Sequence, residues 1–274
     1  MLMDGQKTSR KRKNNTILDY LPKKRIKNML RRGMDKAMDL LYPRRCFICE
    51  EILEPWEYHK GVHQHCEKLI LPIGDKVCAH CGAPVTGQKE YCIECSRVKE
   101  EAFAFTQGKS LYQYKGEIKE TLYRFKYANR REYAKAFAHQ AVARYGDWIK
   151  SCGIDMIIPV PMYAEKEKSR GYNQAAVFAA ALALELGDLE LAKYNLARRD
   201  KDTIPMKTLS KKERYNNLKS AFQISANVIE CGKIALVVDD IYTTGATADA
   251  LANGLRNAGI EKIFFLSICI GRGV

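Results

Sequence analysis

Ile234-Ala-Leu-Val-Val-Asp-Asp-Ile-Tyr-Thr-Thr-Gly-Ala-Thr247 decides the fold. Its first five residues are apolar and run straight into Asp239-Asp240. A loop of small residues follows, Thr243-Thr244-Gly245-Ala246-Thr247, and then a helical stretch from Ala248 to Ala258, ended by Gly259. The order reads as buried strand, loop, helix. A continuous apolar run suits a parallel strand covered on both faces. The small side chains leave backbone N–H groups free to meet an anion, and the helix N-terminus adds partial positive charge. Thr243, Thr244 and Thr247 add hydroxyls. The two carboxylates stand at the strand's C-terminal edge, where an open α/β sheet binds its ligand. They would repel a phosphate, so they face another part of the same ligand. Vicinal sugar hydroxyls with Mg²⁺ nearby fit that role. A lone acidic pair would read as a solvated strand edge; the strand, acids, loop and helix in sequence do not. No GxxxxGK[ST] or GxGxxG run is present, which excludes the common nucleotide loops.

Outward from this stretch the chain alternates strands and helices. Lys109–Tyr114 reads as a strand, Gly116–Tyr127 and Arg131–Lys150 as helices, and Ile154–Ile158 as a buried strand stopped by Pro159-Val160-Pro161. A charged loop, Ala164–Arg170, leads through Gly171-Tyr172-Asn173-Gln174 to a helix over Ala175–Leu186, and Lys262–Ile270 is a last strand. This predicts an α/β domain over 102–274, with a mostly parallel sheet and helices on both faces.

Seven of the ten cysteines lie between 46 and 95. A CxxC knuckle lets two thiolates bind one ion at tetrahedral angles, and two knuckles complete a site. Cys78, Cys81, Cys92 and Cys95 have zinc-ribbon spacing, with Gly82 placed for a tight turn. Cys46 and Cys49 pair with His63 and Cys66, an HxxC in place of a knuckle, with His59 and His65 as rival ligands. Both sites close on four protein ligands, so both read as structural Zn²⁺ in a small module over 38–100 that draws folding energy from metal. Cys152, Cys231 and Cys269 have no metal spacing and read as buried thiols.

The chain carries a net charge of +14. Residues 1–45 hold 14 Lys/Arg against 4 Asp, which points to a polyanionic partner. Residues 1–37 read as a basic, partly disordered extension, with helical spacing of Ile26, Leu30, Met34, Met38 and Leu41 from about Leu21. Such a helix suits nucleic acid, an anionic membrane or its own protein. Asn14–Leu21 faintly resembles a sliding-clamp-binding peptide. No apolar run spans a bilayer and the charged N-terminus has no apolar h-region, so the expected location is cytoplasmic.

The Ile234–Thr247 stretch closely resembles the 5-phosphoribosyl-1-pyrophosphate (PRPP) loop of type I phosphoribosyltransferases. Pro159-Val-Pro161, a spacer and Arg170-Gly-Tyr-Asn-Gln-Ala175 resemble the signature of the ComF (competence protein F) family. Thr203-Ile-Pro205, Leu209-Ser210, Glu213-Arg214-Tyr-Asn-Asn217-Leu218 and Ala221-Phe222 are similar to a further stretch of that family, and Leu40–Cys46 to its entry into the first knuckle. Two departures stand out: His63 replaces a Cys, and Met206 replaces a Gln.

The resemblance implies a double zinc ribbon ahead of a phosphoribosyltransferase-like (Rossmann-like) domain. It implies that Asp239 and Asp240 hold ribose hydroxyls, that Thr243, Thr244, Gly245, Ala246 and Thr247 cradle the 5′-phosphate, and that Pro159, Val160 and Pro161 approach the pyrophosphate. Arg170 or Lys166 supplies charge there, with Mg²⁺ alongside. Purine-salvage relatives have Asp where Thr243 stands, so a catalytic base is not assigned. Arg198, Arg199 and Arg214 are further phosphate-binding candidates. The family implies a part in DNA uptake, with single-stranded DNA and the competence machinery as partners and a place beside the membrane through that machinery. Tyr112, Tyr114, Tyr123 and Tyr127 are candidates for a strand-binding surface. The other reading is an active phosphoribosyltransferase with an unknown acceptor.

Overall fold

The computed structural model describes residues 43–188, 193–199 and 221–271. The basic extension, the clamp-like peptide, the Thr203–Leu218 stretch and Arg214 lie outside these residues.

Among the described residues a parallel sheet of four strands carries the fold, in the order β1 (Gln107–Gln113), β6 (Lys262–Ile270), β5 (Ile234–Tyr242), β2 (Met156–Pro159). The central strands β5 and β6 are the long apolar runs. Side chains alternate between faces. Leu236, Val238 and Leu266 point to one core, and Ala235, Val237 and Phe265 to the other.

Helices cover both faces, as expected. The first core takes α2 (Glu117–Tyr127), α3 (Tyr133–Ser151) and α5 (Gln174–Glu185), through side chains such as Phe125, Phe137 and Phe178. The second takes α6 (Ala246–Asn257), through Leu251 and Leu255. A short antiparallel pair, β3 (Ala197–Arg199) and β4 (Phe222–Ile224), lies beside α6.

The cysteine region is built against this sheet. Cys46, Phe47 and Cys66, the last on the one-turn helix α1 (Gln64–Glu67), join the first core. Cys78, Cys81, Cys92 and Cys95 join the second. The segment between the two clusters runs antiparallel along the free edge of β1: Ile73 N–H donates to Leu111 O at 3.0 Å and Gln113 N–H to Leu71 O at 2.9 Å. This strap covers an edge that would otherwise expose unpaired backbone groups. Gly82 sits at φ +74, and a Cβ there would lie 2.5 Å from the Gly108 carbonyl oxygen. Only glycine lets the ribbon come this close to β1.

Two expectations need correction. Ala164–Arg170 is not a loop but a helix, α4. Its residues are good helix formers, with Glu165 and Glu167 in the first turn and Lys168 and Arg170 in the last, and left-handed Gly171 ends it. Asp239 and Asp240 do not follow β5 but lie within it, because β6 continues the pairing from Ser267 opposite Asp239 to Ile270 opposite Tyr242. Pro159 is tolerated in β2 because that strand is the edge of the sheet among the described residues.

Candidate functional site

The acidic pair lies at the C-terminal end of β5, beside the end of β2. Val160 N–H donates to Val238 O at 2.9 Å, which brings the Pro159–Pro161 turn next to the acids. Asn173 fixes that turn: its buried side-chain amide donates to Val160 O at 3.0 Å and its Oδ1 accepts from Ala175 N–H at 3.0 Å, capping α5. The Arg170–Gln174 motif is thus a joint. Tyr172 donates its hydroxyl to Phe125 O, and Gln174 is buried with its amide donating to Lys126 O at 3.4 Å. Arg170 lies over the Tyr127 ring at 4.7 Å, donates to Tyr127 Oη at 3.1 Å and to Gln174 Oε1 at 2.7 Å.

Asp239 and Asp240 are both half-buried. Asp239 Oδ1 accepts the Asp240 N–H at 2.8 Å. Burial, and then the neighbouring Asp240 carboxylate, push the Asp239 carboxyl up to about 8. Asp240 Oδ2 accepts from Lys126 Nζ at 2.9 Å. Burial works against the Lys126 charge, but Asp240 outweighs it and holds the ammonium above the ordinary lysine range. Lys126 went unnoticed in the sequence. The available signal was a lone lysine between Phe125 and Tyr127 on an otherwise amphipathic helix.

Beyond the acids, Gly245 stands in the left-handed region at φ +82 and opens α6. Thr243 and Thr244 are exposed, Ala246 and Thr247 are half-buried, and Thr244 Oγ1 accepts the Ala246 N–H at 3.4 Å. Arg199 lies close enough for its charge to favour the ionised form of Asp239, and its strand bridges to Tyr163 next to the proline turn. Arg198 is exposed on the same strand, and Lys166 is exposed on α4. The tyrosines divide: Tyr112 is buried in the core, Tyr114 packs against it, and Tyr123 and Tyr127 are exposed as a pair with ring centroids 5.0 Å apart. Tyr112 and Tyr114 are therefore packing residues.

Both cysteine groupings form. In Cys46, Cys49, His63, Cys66 and in Cys78, Cys81, Cys92, Cys95 the ligand atoms lie within 4.8 Å of one another. His63 is the ligand of the first cluster. Its Nε2 faces the Ile52 carbonyl at 3.1 Å, so it donates there, and Nδ1 faces Cys49 Sγ at 3.3 Å as the free donor to metal. His65 instead stacks on His63, and His59 meets His139 edge to face. Without a cation the thiols oppose one another. Burial, then Cys49 and Cys46, push the Cys66 thiol up to about 12. In the second cluster, hydrogen bonds from Cys81 and Cys95 hold Cys78 far down, and Cys78 drives both partners up. A dication removes this conflict by taking every sulfur as thiolate. Three or four sulfurs with at most one imidazole suit Zn²⁺. His80, inside the second knuckle, is not a ligand: it is sandwiched between Phe103 and Phe105 at 3.8 and 4.2 Å, with Nδ1 3.4 Å from Cys95 Sγ. Of the other thiols Cys269 is buried, while Cys152 and Cys231 are only half-buried.

A family model for a double zinc ribbon domain matches residues 37–96. The chain is 30% identical over 226 residues to Competence protein F of Haemophilus influenzae, covering 80% of this chain and 93% of that protein. The chain belongs to the competence protein F family. Within this family it is 28% identical over 200 residues to Competence protein ComFC of Bacillus subtilis, over 71% of this chain and 77% of that protein. It is also similar to DNA utilization protein YhgH of Escherichia coli K12, at 25% over 237 residues, 84% of this chain and 98% of that protein. Membership accounts for the parallel α/β sheet and the zinc-binding cysteines in one chain. No described helix is long and apolar enough to cross a membrane.

Proposed function

We propose that this chain acts in DNA uptake during natural competence, using the site at the end of β5 to bind PRPP with Mg²⁺ or the phosphates of single-stranded DNA. The observation that carries the reading is the pairing of two adjacent carboxylates with a small-residue loop and a helix N-terminus at the C-terminal end of a central parallel strand. Relatives are named as competence and DNA utilization proteins, which supports the DNA side.

In this reading Asp239 and Asp240 accept hydrogen bonds from the ribose hydroxyls. Thr243, Thr244 and Thr247 donate to the 5′-phosphate, with the N–H groups around Gly245 and Ala246. The Pro159–Pro161 turn borders the pyrophosphate, and Arg170 faces it as a cation. Bound Mg²⁺ would neutralise the pyrophosphate. The residues mainly position and neutralise, the two effects such a transfer needs most. A second reading, transfer of phosphoribose to an acceptor, is favoured by the presence of both acids, since a site that only cradled phosphate would gain nothing from them.

Calorimetric titration of the zinc-loaded chain with PRPP and Mg²⁺ tests the first reading, with Asp239→Asn/Asp240→Asn as control. Micromolar binding that the double variant loses is the expected result. Equal affinity in the variant would sink the ribose assignment. Gel shifts with single-stranded DNA test the other arm: affinity should fall steeply as salt rises and weaken on deleting residues 1–37. Unchanged affinity at matched salt would remove the extension from DNA binding.

A further inference from the structure

The first zinc knuckle is held from outside by the helix that reaches the acidic pair. Phe47 and Ile48 lie inside the knuckle, between Cys46 and Cys49. Thr121 Oγ1, on α2, donates to Phe47 O at 2.7 Å. Arg124 Nη2, one turn on, donates to Phe47 O at 2.9 Å and to Ile48 O at 2.7 Å. Glu50 closes the knuckle in the left-handed region at φ +62, where a non-glycine residue is strained. Its Oε1 accepts from Arg130 Nε at 2.6 Å and from Tyr133 Oη at 3.0 Å, and its Oε2 lies 4.0 Å from Arg124 Nε. The knuckle therefore grips both the end of α2 and the start of α3. Two residues beyond Arg124, about 3 Å along the helix axis, Lys126 meets Asp240 at 2.9 Å.

An ion held by Cys46, Cys49, His63 and Cys66 would fix the knuckle and with it the directions of the Phe47 and Ile48 carbonyls. Those carbonyls and Glu50 join the buried Ile118, Leu122 and Phe125 in holding the depth and rotation of α2. The rotation of α2 sets the reach of Lys126. The last step has chemical weight, because the Asp240 carboxylate, joined by Asp239 once that residue ionises, repels an anionic ligand, and a fixed ammonium beside it offsets that repulsion.

We infer that the first zinc knuckle positions Lys126 on Asp240 through Glu50 and Arg124, so that the state of this knuckle tunes acceptance of an anionic ligand at the acidic pair. The identity of the ligand rests on the function proposed above; the coupling does not. Glu50 and Arg124 are positioning residues. They touch neither the acids nor a ligand.

Reductive methylation of the full-length, zinc-loaded chain, read lysine by lysine by mass spectrometry, tests the coupling. Glu50→Gln keeps the four ligands and removes the charge that Arg130 meets. Lys126 should methylate about threefold faster in it, the scale of a side-chain network coupling. Lys233, paired with Glu261 at the opposite end of β5, should be unchanged. Glu50→Asp should restore the wild-type rate. An unchanged Lys126 rate in a folded Glu50→Gln chain that keeps two zinc ions overturns the inference. Should that variant misfold or lose zinc, Arg124→Lys, which keeps the charge but not the two-carbonyl clasp, is judged by the same criterion. The ligand arm uses PRPP with Mg²⁺. Lys126→Met should bind about tenfold more weakly, as expected for loss of a charge-assisted contact, and Glu50→Gln about threefold more weakly. Unchanged affinity in Lys126→Met overturns the claim about ligand acceptance. If wild type binds no PRPP, the PRPP arm of the function proposed above falls, and the methylation rates still decide the coupling.

Discussion

The two zinc clusters share a CxxC start and differ in their surroundings. The second is made of four buried cysteines, packed with Phe105 and the α6 side of the sheet. The first has an exposed Cys49, a histidine in place of a thiol, and carbonyls spoken for by α2. Four thiolates on Zn²⁺ leave a net charge of −2; three with a neutral imidazole leave −1. The closed cluster fastens a sheet face. The open one sits where a change in its geometry is felt by a helix leading to the candidate ligand site.

The sharpest way to break this comparison is to remove one ligand from each cluster. Cys78→Ser should cost the most. One zinc per chain should be lost from an expected two, and the stability of the whole sheet should fall by ~3 kcal/mol or more. Metal analysis with calorimetric melting checks it, and a smaller loss than His63→Ala would reverse the contrast. His63→Ala should lose its zinc to a chelator at least tenfold more readily while the second ion stays, with a stability cost of about 2 kcal/mol. Chelator competition monitored at two zinc equivalents gives the first number and calorimetric melting the second.

The far end of the first cluster's reach has a pH signature. Asp239 titrates near 4 when unfolded and at about 8 when folded. Between these values the folded chain holds a proton that the unfolded chain has released. This contribution to stability is present below about pH 4 and is lost as pH rises to about 8. Asp239→Asn should remove that slope. Unfolding free energies from urea titration at pH 5 and pH 8 should differ less in the variant than in wild type by at least about 1.4 kcal/mol, the worth of one pKa unit. An identical slope would show that Asp239 is solvated. The smallest effect belongs to the exposed Lys60–Glu67 pair beside Cys66. Lys60→Ala should cost under about 0.5 kcal/mol; a larger loss in chemical denaturation would mean that the first cluster depends on surface charge as well as on metal.

The layout was legible where local pattern carries it. Ile234–Val238 announced a buried strand by being apolar on both faces, Lys262–Ile270 read as a last strand, and cysteine spacing announced both clusters, including His63; the central place of both strands came from the sheet order. The length of β5 was read short. The acids looked like a stop signal, yet pairing with β6 outlasts them, and the nine residues of Lys262–Ile270 were the clue. The helix at Ala164–Arg170 was hidden because its charges suggested a loop, although they follow the helix dipole. Lys126 was invisible for a different reason. It becomes a site residue through the docking of α2 on a zinc knuckle some eighty residues earlier in the chain, and no spacing in the sequence encodes that. Asn173 was quoted as part of a motif without its work as the clasp of the proline turn being visible.

The strap along β1 bears on the order in which the chain can be made. β1 leaves the ribosome long before its sheet partner: Ser110 and Ser267, whose hydroxyls meet at 2.7 Å, are 157 residues apart. During that interval the strand has no neighbour within the sheet, and such edges are where nascent chains go astray. Leu71 and Ile73 are already synthesised, on a segment tied down at either end by a cysteine cluster. The metal-bound region therefore acts as a built-in escort, occupying one side of β1 and leaving the other open until β6 arrives to complete the sheet.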